Sequence, residues 1–464
     1  MGEVITLVGG SNSAISVTLD GSRAVSIANQ IKSELSNLDE QDSLNFMNLS
    51  DDPSLVDGKI GYGLVTTTGS YHFGNGYEYI VTGGFNPDRN APVTQFLNQP
   101  VTLSSGMSSG QNVKVLAGGT AQTTYIAGQE SGQFVGGNQA GNNIVFRGNT
   151  VNGGDWVINT GRANSTIELG NGNNNVISEG HDTITAAVKN GAGRDTVALF
   201  GNNSFVDVGA GSLVNDVSYG NTITVGGGST VNGGTSGTVT FDGSYDSNVS
   251  SLNGGFATTV KATGDLNAAQ IQDGQVDADK NFTLFNGGGD ISATVAGNAI
   301  GFGSRGLNYT LNAEGDQSGF FTADAGNETL NASGSTAGLN IFANTIVGGG
   351  NTTFNATGGS GNDTFTAGTG NSTFTGGEGN NAFLFADGTS DGGTTVITDF
   401  AKDGSTNGIG LFNYGLNQQS LAELLRNSQN DANGNAVLNI EGKHTIIIEG
   451  VSVSELTTDK FLVS

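Results

Sequence analysis

Residues 358–384 read GGSGNDTFT-AGTGNSTFT-GGEGNNAFL, three successive blocks of nine. Each block opens on small residues and a Gly-Asn pair and closes on a short β-prone run with one bulky apolar residue, namely Phe365, Phe374 and Phe383. Glycine and asparagine accept the left-handed backbone angles of tight turns, so each block is a turn followed by a strand. The nine-residue spacing stacks the three phenylalanines in one apolar ladder, each from a successive half-coil. Looser copies of the same frame precede them: Gly326-Asn-Glu-Thr-Leu330 and Gly350-Asn-Thr-Thr-Phe354.

Outward from this stretch the pattern persists. From roughly 105 to 400, β-prone pieces of four to six residues alternate with Gly-Asn or Gly-Gly turns, as at Trp156-Val-Ile158, Ser165-Thr-Ile-Glu-Leu169, Thr222-Ile-Thr-Val225 and Thr238-Val-Thr-Phe241. Such short strands, with frequent turns and no helix between them, predict a mainly β protein built as a parallel β-solenoid or β-roll. Coils ~4.8 Å apart, of about 20 residues each, give on the order of 15 coils. The regular recurrence of Val, Ile, Leu and Phe argues against low-complexity disorder.

The flanks differ in character. All four prolines, Pro53, Pro87, Pro92 and Pro100, lie between residues 50 and 100. A β-ladder rejects a residue without an N–H, which sets a boundary near 105. Residues 1–104 are expected to form a small α+β unit with its own core: two strands within 1–20, then a helix over 22–38 with Ser22 as N-cap. Such a unit would cap its own solenoid or lend a strand to the next molecule. Val4, Ile5, Leu7, Ile15, Val17 and Leu19 are the candidate donor-strand residues. Residues 401–464 are expected to form a C-terminal α/β cap, with a helix near 418–428 and strands Ala436-Val-Leu-Asn-Ile440 and Thr445-Ile-Ile-Ile448.

The chain has 464 residues, 78 glycines, no cysteine and a formal charge of −26. That charge excludes a nucleic-acid binder, because 16 basic residues against 42 acidic ones cannot neutralise a run of phosphates. Membrane insertion is excluded by the lack of an apolar run near the ~18–20 residues needed to span a bilayer. Zero cysteine removes disulfides, thiolate metal sites and a cysteine nucleophile. The start, Met1-Gly2-Glu3-Val4-Ile5, has no basic segment followed by a long apolar one, so export would use another signal.

In full, residues 358–384 resemble the RTX nonapeptide G-G-x-G-x-D-x-U-x of hemolysin-type, type I-secreted bacterial proteins. Gly191-Ala-Gly-Arg-Asp195-Thr-Val197 and Gly180-His-Asp182-Thr-Ile184 are degenerate copies. Thr394-Thr-Val-Ile-Thr-Asp-Phe400 looks like the closing turn of an RTX roll. Ile446-Ile-Ile-Glu-Gly-Val-Ser452 and Asp459-Lys-Phe-Leu462 look like the C-terminal end of type I substrates. The resemblance covers residues 358–464 with some specificity. It implies an uncleaved C-terminal secretion signal and an extracellular or cell-surface, usually calcium-rich, destination.

In that family the sixth position supplies a carboxylate to calcium. Here it holds Asp363, then Ser372, then Asn381, with Glu378 where the repeat normally offers its backbone. Asp363 and Asn381 would face one groove between coils. The resemblance thus implies few, weak calcium sites, with Asp195 and Asp182 as further candidates. The alternative is a solenoid that holds its turns by side-chain amide ladders without metal.

No catalytic constellation emerges. His72, His181 and His444 lack ligand spacing. Arg194 with Asp195, and Asp155 beside Trp156, are the pairs a polysaccharide-acting β-helix enzyme could use. Thr364/Thr366, Thr373/Thr375, Thr183/Thr185, Thr222/Thr224 and Thr238/Thr240 could form the flat threonine face of a monomeric adhesin or ice-binding solenoid. The reading preferred over both is a non-enzymatic secreted structural protein. It would self-assemble with copies of itself into a filament, biofilm matrix or surface layer, with cell-surface polysaccharide as a further partner.

Overall fold

The computed structural model describes all residues except 1, 48, 50–53, 91–96, 98, 120, 138–143, 191–193, 245–247, 323–325, 344–352 and 402–403. Pro53, Pro92, and the turns at 191–193 and 350–352 therefore lie outside the described residues. The protein is mainly β, 50% strand and 8% helix, and forms a parallel β-solenoid of about 17 turns. It divides into two compact units, residues 1–247 and 248–464. No helix among the described residues is long and apolar enough to cross a membrane.

Each coil of unit 1 contributes one short strand to each of two parallel sheets. Period-two alternation turns every second side chain inward, and the parallel register stacks those side chains coil upon coil. One column runs Val115, Phe134, Ile158, Val176, Val197, Val214 and Val231. The facing column runs Tyr125, Phe146, Ile167, Ile184, Val206, Ile223 and Val239. All of these are fully buried.

The parallel ladder begins well before residue 105. Leu44–Met47 pairs with Ile60–Val65, and Gly69–Phe73 pairs with Val101–Ser105, which pairs with Thr123–Ile126. The proline-based boundary is thus corrected. Pro87 lies in a bend after the strand Gly84–Asn86, and Pro100 immediately precedes the strand starting at Val101. Neither interrupts a ladder, so proline marks loops here rather than the absence of coils.

The N-terminal elements also differ from an independent α+β unit. β1 (Glu3–Val8) and β2 (Ala14–Leu19) pair antiparallel, and β2 pairs with Gly84–Asn86. Helix α1 (Ser22–Glu40) lies against the solenoid wall, and its Ala24, Ala28, Ile31 and Leu35 share one core with Tyr79, Val81, Leu116 and Val135 of solenoid strands. Nineteen residues of helix span ~28 Å, enough to cross about six coils. Arg23 meets Glu179 at one end (3.3 Å), while the Tyr79 hydroxyl donates to Glu34 (3.1 Å) further along. Ser22 is not the N-cap. The helix starts at Ser22 behind Gly21, with no side-chain cap, and the Arg23 N–H donates to Glu179 Oε1 at 2.9 Å. A carboxylate from a distant coil thus does the work of a local cap.

Unit 2 repeats the two-sheet coil. Inward columns run Leu252, Ala268, Leu284, Gly301, Phe320, Ile341, Phe365, Phe383, Ile409 and Phe461 on one side. Leu330, Ala356, Phe374, Ile397 and Ile448 line part of the other. Phe365, Phe374 and Phe383 therefore do not share one ladder. Phe365 stacks on Phe383 with ring centroids 5.2 Å apart, whereas Phe374 belongs to the opposite sheet and meets Phe365 across the core at 5.1 Å. Nine residues make half a coil, so alternate blocks fall on opposite walls.

The C-terminal residues continue both sheets and also form the expected α/β cap, in which Gln429–Asn430 and Ala436–Ile440 add antiparallel to His444–Ile448. His444–Ile448 pairs parallel with Thr394–Ile397, and Phe461–Val463 pairs parallel with Gly408–Phe412. Helix α2 (Gln418–Asn427) falls where expected, and Asn417 and Ser420 form its capping box.

Candidate functional site

The residues singled out as metal ligands sit at coil corners, in columns of side-chain-to-backbone hydrogen bonds. The Leu339 N–H donates to Asp363 Oδ1, the Asp363 N–H to Asn381 Oδ1, and the Asn381 N–H to Asn407 Oδ1, each at 2.8 Å. Asp363 Oδ2 accepts the Gly359 N–H, also at 2.8 Å. Asp363 and Asn381 are fully buried. The expected juxtaposition of Asp363 and Asn381 is present, with backbone amides filling it. Asn381 and Asn407 perform the task that Asp363 performs, which requires a hydrogen-bond acceptor and no charge.

Unit 1 uses the same device. Ser165 donates its N–H to Asp182 Oδ1 (2.8 Å), Asp182 to Ser204 Oγ (3.1 Å), and Ser204 to Asn221 Oδ1 (2.7 Å). Asp182 Oδ2 also accepts the hydroxyls of Thr160 and Ser178, at 2.9 and 2.6 Å. Asp195 occupies a parallel column, accepting the Asn174 N–H at 3.2 Å and its side-chain amide at 3.0 Å. Burial raises all three carboxyls against hydrogen bonds that favour the charged form, Asp182 and Asp363 to about 6.

A second set of corners runs in the opposite sense. There the later coil's N–H donates back to the earlier coil's side chain: Asn380 to Asn362 and Thr406 to Asn380, both at 2.7 Å. Asn281, Asn298 and Gln317 donate likewise to Asp265, Asn281 and Asn298, at 3.2, 3.0 and 3.0 Å. Asparagine suits these positions because one side chain supplies the acceptor that a turn leaves missing. Asn407 and Asn221 belong to the columns but were not singled out by the sequence reading. Their signal is an Asn recurring at the coil period just before a strand.

Calcium takes six to eight oxygen ligands. Asp363 supplies at most two of them, from a fully buried carboxylate whose oxygens each also accept a backbone N–H. Asn381 turns its side-chain carbonyl to Asp363, and its amide donates to the Glu378 carbonyl at 3.2 Å. Ser372 lies on the opposite wall, paired with Phe354. The Glu378 side chain is exposed. Among the described residues, no three His, Asp or Glu side chains gather as a metal-holding group. The Asp399 of the Thr-Asp-Phe turn is structural in the same way, accepting the Gly376 and Gly377 N–H groups at 2.7 and 2.9 Å.

The candidate catalytic pairs are engaged elsewhere. Asp155 accepts the Asn173 N–H at 2.7 Å, Trp156 is buried, and Asp195 is turned into its corner column. His444 is buried with Nε2 3.0 Å from the Thr395 hydroxyl. The threonine rows are discontinuous: Thr183 stacks on Phe205 before Thr222 and Thr238, and Thr185 on Asp207 before Thr224 and Thr240. Thr364/Thr366 and Thr373/Thr375 lie on opposite walls. One open groove of about 400 Å³ runs across unit 2, lined by residues including Thr259, Gln275, Ser292, Thr310, Asp273 and Asp290. Its carboxylates are tied down, the Asp290 N–H donating to Asp273 Oδ1 (2.8 Å) and the Asn308 side-chain amide to Asp290 Oδ1 (3.0 Å).

β1 and β2 are packed on their own chain. Ile5, Leu7, Ile15, Val17 and Leu19 are at most 2% exposed, and only Val4, at 41%, faces solvent. Lending these strands to another molecule would uncover the core beneath α1. No protein-family model matches the chain, and neither a curated protein nor a solved structure matches it.

Proposed function

We propose that this chain is a secreted, non-enzymatic structural protein that self-assembles into an extracellular filament, matrix or surface layer. The observation that carries the reading is an edge inside the chain, at the first solenoid strand. Leu44–Met47 pairs on one side with Ile60–Val65 and, among the described residues, with no strand on the other. An open edge of N–H and C=O groups templates another chain, and head-to-tail addition is heterologous and propagates. The edge for assembly thus moves from β1 and β2 to the first strand of the solenoid. Export belongs to the same reading and is supported by the resemblance of residues 446–462 to type I substrates. Divalent cations, calcium included, enter it by screening exposed carboxylates on a chain of charge −26.

Electron microscopy of the purified chain, in calcium and in chelator, tests this reading. Filaments or sheets are expected in calcium. Monodisperse particles in both conditions, at all protein concentrations, would overturn it. A second reading, a polysaccharide-binding or polysaccharide-acting solenoid, has the groove at Thr259 and Ser292 in its favour. Retardation in gels containing acidic or neutral polysaccharide, or their depolymerisation, would support it.

A further inference from the structure

Four phenylalanines stand on the outer face of unit 2 in direct register: Phe285 on Phe302, Phe302 on Phe321, and Phe321 on Phe342. Their rings are stacked nearly parallel, with centroids 5.3, 5.2 and 4.6 Å apart. Phe285 is 42% exposed and the other three are half-buried. The row extends through Ala269 on one side and through Thr366 and Leu384 on the other, and Ile300 stands beside Phe302. Among the described residues between Ser250 and Phe412, the outward positions of this sheet's strands carry no Asp, Glu, Lys or Arg. The row is thus an exposed apolar stripe on an uncharged face of a chain with 42 acidic residues, the kind of surface that marks an interaction site.

Unit 1 shows how this fold treats such a row. Its outward Tyr79, Val81, Leu116 and Val135 are covered by helix α1 and are buried. No described residue of unit 2 covers the phenylalanine row in that way.

We infer that this face docks against the same face of a second copy of the chain. This rests on the self-assembly reading above and names a lateral contact distinct from the open end strand. Charge selects the occupant. Two copies of a −26 chain repel each other, and apposing their uncharged faces holds the carboxylates furthest apart. Period selects it too. Rings repeating every ~5 Å are matched along their length by another β-solenoid, whose coils have the same spacing. A two-fold axis through the row makes the contact isologous, so the exposed ring edges of one ladder lie against those of the other.

The test is sedimentation of the full chain over a concentration series, beside Phe302→Glu/Phe321→Glu and, as control, Thr259→Glu/Thr310→Glu on the other sheet. Circular dichroism melts check that each variant is folded. The wild type and the control should associate, and the phenylalanine variant should associate about tenfold or more weakly. The milder Phe302→Ser/Phe321→Ser replaces it if the charged variant does not fold. Undiminished association of the folded phenylalanine variant, with filaments still seen, would overturn this contact and leave the assembly reading standing. Absence of any association or polymer would remove both. A monomeric wild type whose binding to a neutral glycan is lost in the variant would assign the face to sugar and overturn the inference.

Discussion

The backbone N–H of Asp363 donates to the side-chain carbonyl of Asn381, 2.8 Å away in the next coil, and both residues are fully buried. The same Asn381 sends its side-chain amide to the Glu378 carbonyl and its own N–H to Asn407. One asparagine therefore closes its turn and joins the coils on either side. Asn381→Ala leaves the Asp363 N–H without an acceptor in a place water cannot reach. The expected loss is about 1–3 kcal/mol, measured by urea unfolding. Asn381→Ser should recover part of it, because serine fills equivalent positions at Ser204 and Ser229.

The buried corner carboxyls predict an unusual sign for the pH dependence of stability. Burial raises Asp182 from 3.8 to about 6. Between those values the folded state holds a proton that the unfolded chain has released. This contribution is fully present below about pH 4 and is lost as pH rises through about 6, amounting to roughly 3 kcal/mol. Unfolding midpoints measured from pH 4 to 8 should therefore fall with rising pH over this window. Asp182→Asn keeps an acceptor for the Ser165 N–H. Its amide can donate to the Thr160 and Ser178 hydroxyls, which turn round to accept. It should stabilise the chain at pH 7.5 and flatten the profile. An unchanged slope would show that other carboxyls set it.

How much of this was legible beforehand depended on whether a signal was local. The solenoid was readable, because a two-residue alternation and a Gly-Asn turn are both fixed within nine residues. The sheet assignment of Phe374 was not, since the half-coil geometry that sends it to the opposite wall is a property of the closed coil. The proline cluster misled for a similar reason: Pro100 stands one residue before a strand, where no ladder N–H is needed. Helix α1 was visible from its apolar face, but its partners, Leu116 and Val135, lie about a hundred residues away in sequence. The corner columns were legible in principle as Asn, Asp and Ser recurring at the coil period. The motif frame drew attention to charge at position six, whereas the corner needs only an acceptor.

The docking of α1 turns on Gly161. Its φ is 60°, and a Cβ there would stand 2.0 Å from the Asp20 carbonyl oxygen, which accepts the Arg162 N–H at 2.8 Å. Gly161→Ala must push residues 20–22 away from the coil and break the register between Arg23 and Glu179. Hydrogen exchange should then quicken over 24–38 while the columns from Val176 to Val231 stay protected. Uniform acceleration along unit 1 would mean that the helix and the coils unfold together.

Calcium provides the sharpest division between the chain's sequence frame and its geometry. Both carboxylate oxygens of Asp363 are engaged by backbone N–H groups, and the equivalent residue one coil on is a neutral amide. Binding there would compete with two amide hydrogen bonds for a single charge, which a hard cation needing several oxygens does not favour. Thermal unfolding in calcium should therefore match that in magnesium at equal ionic strength, within about 2 °C. Asn381→Asp reverses the expectation. It sets a second carboxylate beside Asp363, destabilises the fold in chelator at neutral pH by like-charge repulsion, and gives a divalent cation two anionic ligands. Stability regained in calcium but not in magnesium would show that this corner keeps the shape of a calcium turn and lacks only the charge. Equal recovery in both salts would show screening alone.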